Sequence, residues 1–403
     1  MKSFEEKLEQ ASAGWVDAGV ITAGQQVEIL RRHPVVAGGS TRFIAIVATI
    51  GGLLFAVGVS LLIKSNWAAI GDWTKIVGLV ALLVSAYAAG WKLTCGAHRS
   101  AIGEVCLMVG GIFFLCGIAL VSQIFHLNSR PANGVLLWWV GIAAVPWLTR
   151  AKGAQFLCVV AALVWFGMEM ATPGSWIEVG ARARGTAHDW PFFAANFVVL
   201  GVALWLSGLA LRGTRWETFA GLHEKWGIVV TGAALYWLGF LRHDWKNRWE
   251  HVAGVDRSTW LALAVGLGLV AAAALAAGRA ARPAFRALGP WLALALIAPL
   301  GVAAIPASTD AGWLWSVVAW IALFALSIAV VRVGLETGRE GWVNLGILFV
   351  AANIITRYFD LFGTLLEGGV FFILTGVLVT TLGIYLERKR RSLLADLRRE
   401  VVS

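Results

Sequence analysis

Twelve separate apolar runs, each at or near the length of a membrane crossing, leave this chain few folds to choose from. Hydrocarbon about 30 Å thick calls for roughly 20 mostly apolar helical residues, since backbone polar groups in lipid must be paired within their own segment. The runs are Phe43–Ile63, Ile76–Trp91, Val105–Ser122, Val135–Leu148, Ala154–Met168, Phe192–Leu211, Trp226–Leu241, Trp260–Ala277, Leu288–Ile305, Trp313–Val331, Trp342–Thr356 and Gly368–Leu386. Composition agrees, with 59% hydrophobic and 14% charged residues and a mean hydropathy of +0.76, too little polar material to coat a water-facing globule. The expected fold is therefore an all-α polytopic transmembrane helix bundle of about 12 spans. The fourth, fifth, seventh and eleventh runs are short, which marks them as candidates for tilted or re-entrant segments.

The connections carry the topology. Alternate loops hold 23 Lys and Arg on one side and 10 on the other, and the richer set includes both termini. The positive-inside rule then puts both termini in the cytoplasm and requires an even number of spans. Twelve satisfies that requirement; ten would too, if one helical pair were re-entrant. The net charge of +10 is explained the same way, because the basic residues stand in short clusters between apolar runs, and no nucleic-acid partner is expected.

Residues 1–42 precede the first run and have a helical pattern of their own. Phe4, Leu8, Ala11, Trp15 and Ala18 recur at three- and four-residue steps, Gly19 interrupts them, and Thr22 with Gln25 has capping-box spacing ahead of Val27 and Leu30. This predicts a small cytoplasmic helical hairpin, ended by Pro34 and the Gly38-Gly39 linker, with an apolar stripe that should rest on the membrane, the bundle or a protein partner. The charges among the first 20 residues argue against a cleavable signal peptide. Residues 43–386 would be the transmembrane bundle and 387–403 a basic cytoplasmic tail. Its Arg388-Lys389-Arg390-Arg391 cluster is of the kind attracted to anionic lipid.

Polar groups at membrane depth are costly and so are candidates for function. Glu104 opens the third run and Glu169 follows the fifth, each near an interface, and these are the candidates for proton coupling. Lys64, Asn66 and Trp67 follow the first run, Gln123 and His126 close the third, and Arg357 and Asp360 follow the eleventh. The predicted topology puts all seven at the outer membrane level, where they could form a periplasm-facing polar pocket. The competing reading is local: Gln123 and His126 on one face of a continuing helix, and Arg357 with Asp360 as a surface ion pair. Asn344 and Asn353 lie inside the eleventh run, and tryptophans such as Trp138, Trp147 and Trp342 stand at span ends, where an aromatic belt accounts for them. Cys95, Cys106, Cys116 and Cys158 show no C-x-x-C pairing, and no His or Cys stands at ligand spacing from His126, so no disulfide, metal or cofactor is expected. Gly51-Gly52, Gly110-Gly111 and Gly201 with Gly208 read as close helix packing.

Trp15 with Gly19-Val20-Ile21 and Gln25-Gln26, then Asn66-Trp67, then Gln123-Ile124-Phe125-His126-Leu127 with Trp138, and finally Arg357-Tyr358-Phe359-Asp360 before a basic tail form a recognisable series. In these residues the chain resembles the bacterial predicted membrane proteins of the domain-of-unknown-function 2157 family. The likeness implies a polytopic inner-membrane protein and supplies no catalytic residues. Two functions are compatible with the sequence: transport of a small polar solute or envelope-lipid precursor through the outer pocket, or a non-transporting scaffold or sensor that binds a partner through the N-terminal hairpin. An enzyme would need a nucleophile with its base, or a metal triad, at membrane depth, and neither is present in the sequence, so catalysis is not expected.

Overall fold

The computed structural model describes residues 4–32, 67, 69–95, 101–172, 175, 190–240, 257–278, 288–289, 291, 293–297, 309–362 and 369–400. Every long element among them is an α-helix, and none of them is a strand. The run Phe43–Ile63 lies outside the described residues, as does most of Leu288–Ile305. Among the described residues, six helical stretches are apolar and long enough to cross a membrane: Asp72–Cys95, Ile102–Ile124, Pro131–Thr149, Lys152–Ala171, Phe193–Leu211 and Ser316–Glu336. Contacts divide the chain into two units, Met1–Val77 and Gly78–Ser403.

In the first unit, α1 (Phe4–Asp17) and α2 (Ala23–Arg32) are separated by a tight turn. Gly19 at φ 69° closes α1, with the Val20 amide donating to the Trp15 carbonyl at 2.9 Å. The Thr22 amide donates to Gln25 Oε1 at 2.9 Å and the Gln25 amide to Thr22 Oγ1 at 3.3 Å, so the capping box forms in both directions. Gln26 Nε2 reaches back to Ser12 Oγ at 3.3 Å, while Trp15, Val20 and Val27 are exposed. The start of α3 (Asp72–Cys95) holds Lys75 2.9 Å from Asp72 and 4.8 Å from the Trp67 ring.

The second unit contains α4 (Ala101–Ile124), α5 (Pro131–Ile142), α6 (Ala144–Thr149), α7 (Lys152–Ala171), α8 (Trp190–Leu211), α9 (Ala220–Phe240), α10 (Arg257–Ala277), α11 (Thr309–Glu336), α12 (Glu340–Phe362) and α13 (Gly369–Glu400). Most helices overrun the apolar runs that predict them by several residues at one or both ends. The short fourth run is the exception, since it divides into α5 and α6 at Ala143. Pro146 explains the break: it cannot donate to the Ile142 carbonyl, and its ring crowds that position.

Lipid tails are as apolar as leucine, so helices in a bundle are held by close packing rather than by escape from water. The closest approach is between α8 and α9. A Cβ placed on Gly227 would overlap the backbone of Trp205 and Gly201, and one on Gly201 would strike the backbone of Thr231. Around this contact lie the buried Val198, Val202, Trp205, Leu206 and Leu209 of α8, Ile228, Leu235 and Leu238 of α9, and Leu323, Leu326 and Val330 of α11. A second cluster joins α5 and α7 through Trp138, Ile142, Leu157 and Cys158. Trp138 is not a belt residue: it is buried and donates its indole N–H to the Gly111 carbonyl of α4 at 2.8 Å. Trp342 is buried as well, whereas Trp73, Trp91 and Trp147 are exposed at helix ends.

Gly227→Val should lower the thermal stability of the detergent-solubilised protein by about 1–3 kcal/mol, the usual cost of overpacking, because backbone on the facing helix cannot yield. Gly268→Val, on α10 with nothing within 4 Å of its Cβ position, serves as the control. Equal melting temperatures for the two variants would contradict the packing described.

Candidate functional site

The residues expected at the outer level take different surroundings. Lys64 and Asn66 lie outside the described residues. Trp67 belongs to the first unit, with Lys75 over its ring. Gln123 and His126 are exposed, and α4 ends at Ile124 with His126 at φ 49°. The helix therefore does not continue through His126, and the three-residue spacing does not turn the two side chains to one helical face.

Arg357 lies inside α12, which continues to Phe362, and is buried. Its guanidinium carbon is 5.8 Å from the Trp320 ring of α11, in space left by Gly239 of α9, where a Cβ would meet the Arg357 guanidinium. Asn353 Nδ2 approaches the Trp320 carbonyl at 3.5 Å, and Ser316 Oγ donates to the Gly239 carbonyl at 2.7 Å. Arg357 is thus a cation lodged among three helices rather than a surface group. Asp360 is on the same helix, its side chain outside the described residues. No hydrogen bond or ion pair among the described residues joins Gln123 or His126 to Arg357.

Both candidate proton-coupling carboxylates are engaged. Glu104 Oε2 accepts the Gly153 amide at 3.0 Å and so caps the N-terminus of α7 from a neighbouring helix, where the helix dipole favours negative charge. Glu169, buried in the last turn of α7, takes Arg130 Nη1 at 3.2 Å, and Arg130 also donates to Asn133 Oδ1 at 3.3 Å. In the tail, Arg390 donates to Asn344 Oδ1 at 2.5 Å, and Arg390 and Arg391 both pair with Glu387. Arg391 and then Arg390 hold the Glu387 carboxyl below the usual carboxylate range. Two of the four charges of the basic cluster are therefore partly neutralised, and Arg388 and Lys389 are exposed.

The densest polar cluster is one that sequence reasoning missed. Two helical turns are built alike: α8 ends at Leu211 with Gly213 at φ 70°, and α11 ends at Glu336 with Gly338 at φ 66°. Only glycine takes that backbone conformation without a Cβ penalty, and each turn presents an arginine beside it. Arg212 grips Glu224 of α9 with both edges of its fork, Nε to Oε1 at 2.5 Å and Nη2 to Oε2 at 2.6 Å. Arg339 approaches Glu224 Oε2 through Nη1 at 3.5 Å. The carboxylate is buried, with a side chain 2% exposed, while the two arginine side chains are 36% and 45% exposed. Its hydrogen bonds raise the pKa of Arg212 above the ordinary value.

Next to Glu224, His223 sits in a directed hydrogen-bond chain. Ser207 Oγ donates to the Leu204 carbonyl at 2.7 Å and so accepts from His223 Nδ1 at 2.8 Å. Nε2 then accepts from Gln155 Nε2, also at 2.8 Å. This fixes a neutral imidazole with its proton on Nδ1 and stitches α7, α8 and α9 together. Gln155 Oε1 is buried without a hydrogen-bond partner. Besides these clusters, an apolar cavity of about 340 Å³ lies between α8 and α9, lined by Phe193, Ala194, Phe197, Val230, Ala233, Ala234 and Trp237. Among the described residues there is no group of three or more His, Cys, Asp or Glu that could hold a metal ion.

Apolar helices of spanning length, small residues at their contacts and charged side chains gathered near helix ends define a helical membrane protein. Residues 13–155 match the profile of the family described as predicted membrane protein, DUF2157. The match covers the end of α1, α2 to α6 and the start of α7, so the clusters on α8, α9, α11 and α12 lie beyond it, save for Gln155 at its last position. No curated protein and no solved structure matches the chain.

Arg212→Gln should cost about 3–5 kcal/mol, because it strands a buried carboxylate that Arg339 reaches at long range. Arg212→Gln combined with Glu224→Gln should cost less than Arg212→Gln alone, read as melting temperature of the full chain in detergent. A double variant as unstable as the single one would mean that the charge of Glu224 is not held by this pair.

Proposed function

We propose that the protein is a non-transporting membrane scaffold or sensor of the bacterial inner membrane, with the N-terminal helical hairpin as its docking element. The observation that carries this reading is the Glu224 clamp, which ties the α8–α9 turn to the α11–α12 turn. A carrier needs polar groups that face a wet path in at least one state, whereas the buried carboxylates Glu169 and Glu224 are paired inside the bundle and the α8–α9 cavity is walled by apolar side chains. The exposed Trp15, Val20 and Val27 supply the apolar surface a partner would cover. In this reading residues 1–42 are cytoplasmic, twelve spans follow between 43 and 386, and the tail returns to the cytoplasm, where Arg388 and Lys389 contact anionic lipid. A catalytic role is not part of it.

Transport of a small polar solute or a lipid precursor is the second reading, favoured by Arg357, a cation buried among three helices near their outer ends in the proposed topology. It would use Arg357 to receive an anionic group from the periplasmic side.

Two measurements test the proposal. Topology reporters after Glu178 and Glu250 should report the periplasm and one after Arg215 the cytoplasm; an inverted pattern ends the topology. A photo-crosslinking residue at Val20 or Val27 in living cells should give a protein adduct of discrete mass that Trp15→Ala abolishes. Lipid adducts alone, or none, together with solute uptake by proteoliposomes that depends on Arg357, would replace scaffolding by transport.

A further inference from the structure

Arg212 and Arg339 converge on one carboxylate from two separate turns, which leaves the cluster one positive charge in excess. The two arginines are unequally committed. Arg212 spends Nε and one Nη2 proton on Glu224, whereas Arg339 makes one 3.5 Å approach and no hydrogen bond, with its side chain 45% exposed. Four of its five donors are therefore open to something other than Glu224. The surroundings place this at headgroup level. On the turn that holds Arg212, Arg215 lies over the Trp216 ring at 4.7 Å, and Trp216 meets the exposed Trp147 edge-on at 5.0 Å, the kind of aromatic and basic rim found at membrane–water boundaries. The acidic residue that competes on this turn is Glu217, which is exposed and acts on Arg212.

We propose that Arg339, backed by Arg212, binds an anionic phosphate group at this face of the bundle, either on a lipid headgroup or on a soluble phosphate compound. A planar guanidinium fork matches two phosphate oxygens, and a weakly hydrated cation at the interface gives up little to bind them. Glu224 does not block the site. Both its oxygens are taken by Arg212 from within, so it holds Arg212 in place and leaves the outer edge of Arg339 facing the headgroups. Basic pockets between spanning helices are general sites for anionic headgroups. The inference stands apart from the scaffold reading, because a scaffold and a carrier would both present this pocket.

The test uses the full chain in maltoside micelles, which contain no phosphate, with melting followed by tryptophan fluorescence. Phosphatidylglycerol should raise the melting temperature of the unaltered protein by ~2 °C or more, as expected for a ligand that binds the folded state. Arg339→Gln leaves Glu224 paired with Arg212 and should lose most of that shift; each variant is compared with itself without lipid. Lys92→Gln, an exposed basic residue in the last turn of α3 to which no lipid contact is assigned, should keep it. If Arg339→Gln does not fold, Arg339→Lys serves, and should show a smaller shift because an ammonium cannot grip two oxygens as a fork does. Inorganic phosphate or pyrophosphate without lipid forms the second arm, and an Arg339-dependent shift there assigns the site to a soluble anion. No shift with any probe, or the same shift in the Arg339 variant as in the unaltered protein, overturns the proposal.

Discussion

Everything in the second unit follows from how closely α8 and α9 approach. With Gly201, Gly208 and Gly227 on facing surfaces, the two backbones pack nearly without side chains between them, and a methyl group added at any of the three would meet backbone atoms. In lipid this is where binding energy between helices comes from, since dispersion contacts grow with closeness and the hydrophobic effect gives no net reward for leaving one apolar medium for another. The contact also decides where charge can be kept. Gly208 lies against the Glu224 side chain, so Glu224 is lodged against α8 at the point where α8 ends, and Arg212 in the following turn is brought within reach. The clamp is thus a consequence of the packing, and Arg339 extends it to the α11–α12 turn.

Hydropathy made the helices legible and left the sites dark. A run of apolar residues reports its own length, so the spans over α3, α4, α7, α8 and α11 are visible in the sequence, as is the capping box at Thr22 and Gln25. Helix ends are less visible, because α9 begins six residues before Trp226, with His223, Glu224 and Lys225 in its first two turns. Those residues read as loop polarity in the sequence, and Arg212 and Arg339 read as topology charges. Nothing in the spacing joins them, since Arg339 comes from a different helical pair. The signal that was present is local: a carboxylate two residues before an apolar run, with an arginine immediately after the run preceding it.

Arg357 and His126 show the same limit from the other side. Their sequence contexts are alike, polar residues three positions from another polar group at the end of an apolar run. Yet α12 continues through Phe362 and buries Arg357, while α4 stops at Ile124 and leaves His126 exposed with a left-handed backbone. The difference lies in the partners. Arg357 has Trp320 and the gap at Gly239, contributed by helices far along the chain, and a cation with an aromatic face and no Cβ in its way is tolerable at depth. Depth predicted from sequence gives a level in the membrane and says nothing about which helix lies alongside.

A buried ion pair seldom adds net stability over well-packed apolar residues of similar volume, because desolvation offsets most of the attraction. The Glu224 clamp is better understood through what it excludes. In a bundle whose helices are apolar on all sides, many rotations and slips of one helix against another have similar packing energy, and apolar contacts alone choose among them weakly. A carboxylate that must meet Arg212 through two hydrogen bonds, and a neighbouring imidazole that must accept from Gln155 and donate to Ser207, allow one register of α7, α8 and α9. Any slip of about 1.5 Å, one residue of helical rise, would leave a charge or a ring nitrogen unpaired in a medium that cannot replace the partner. The glycines set how near the helices come, and the polar groups set which way they face.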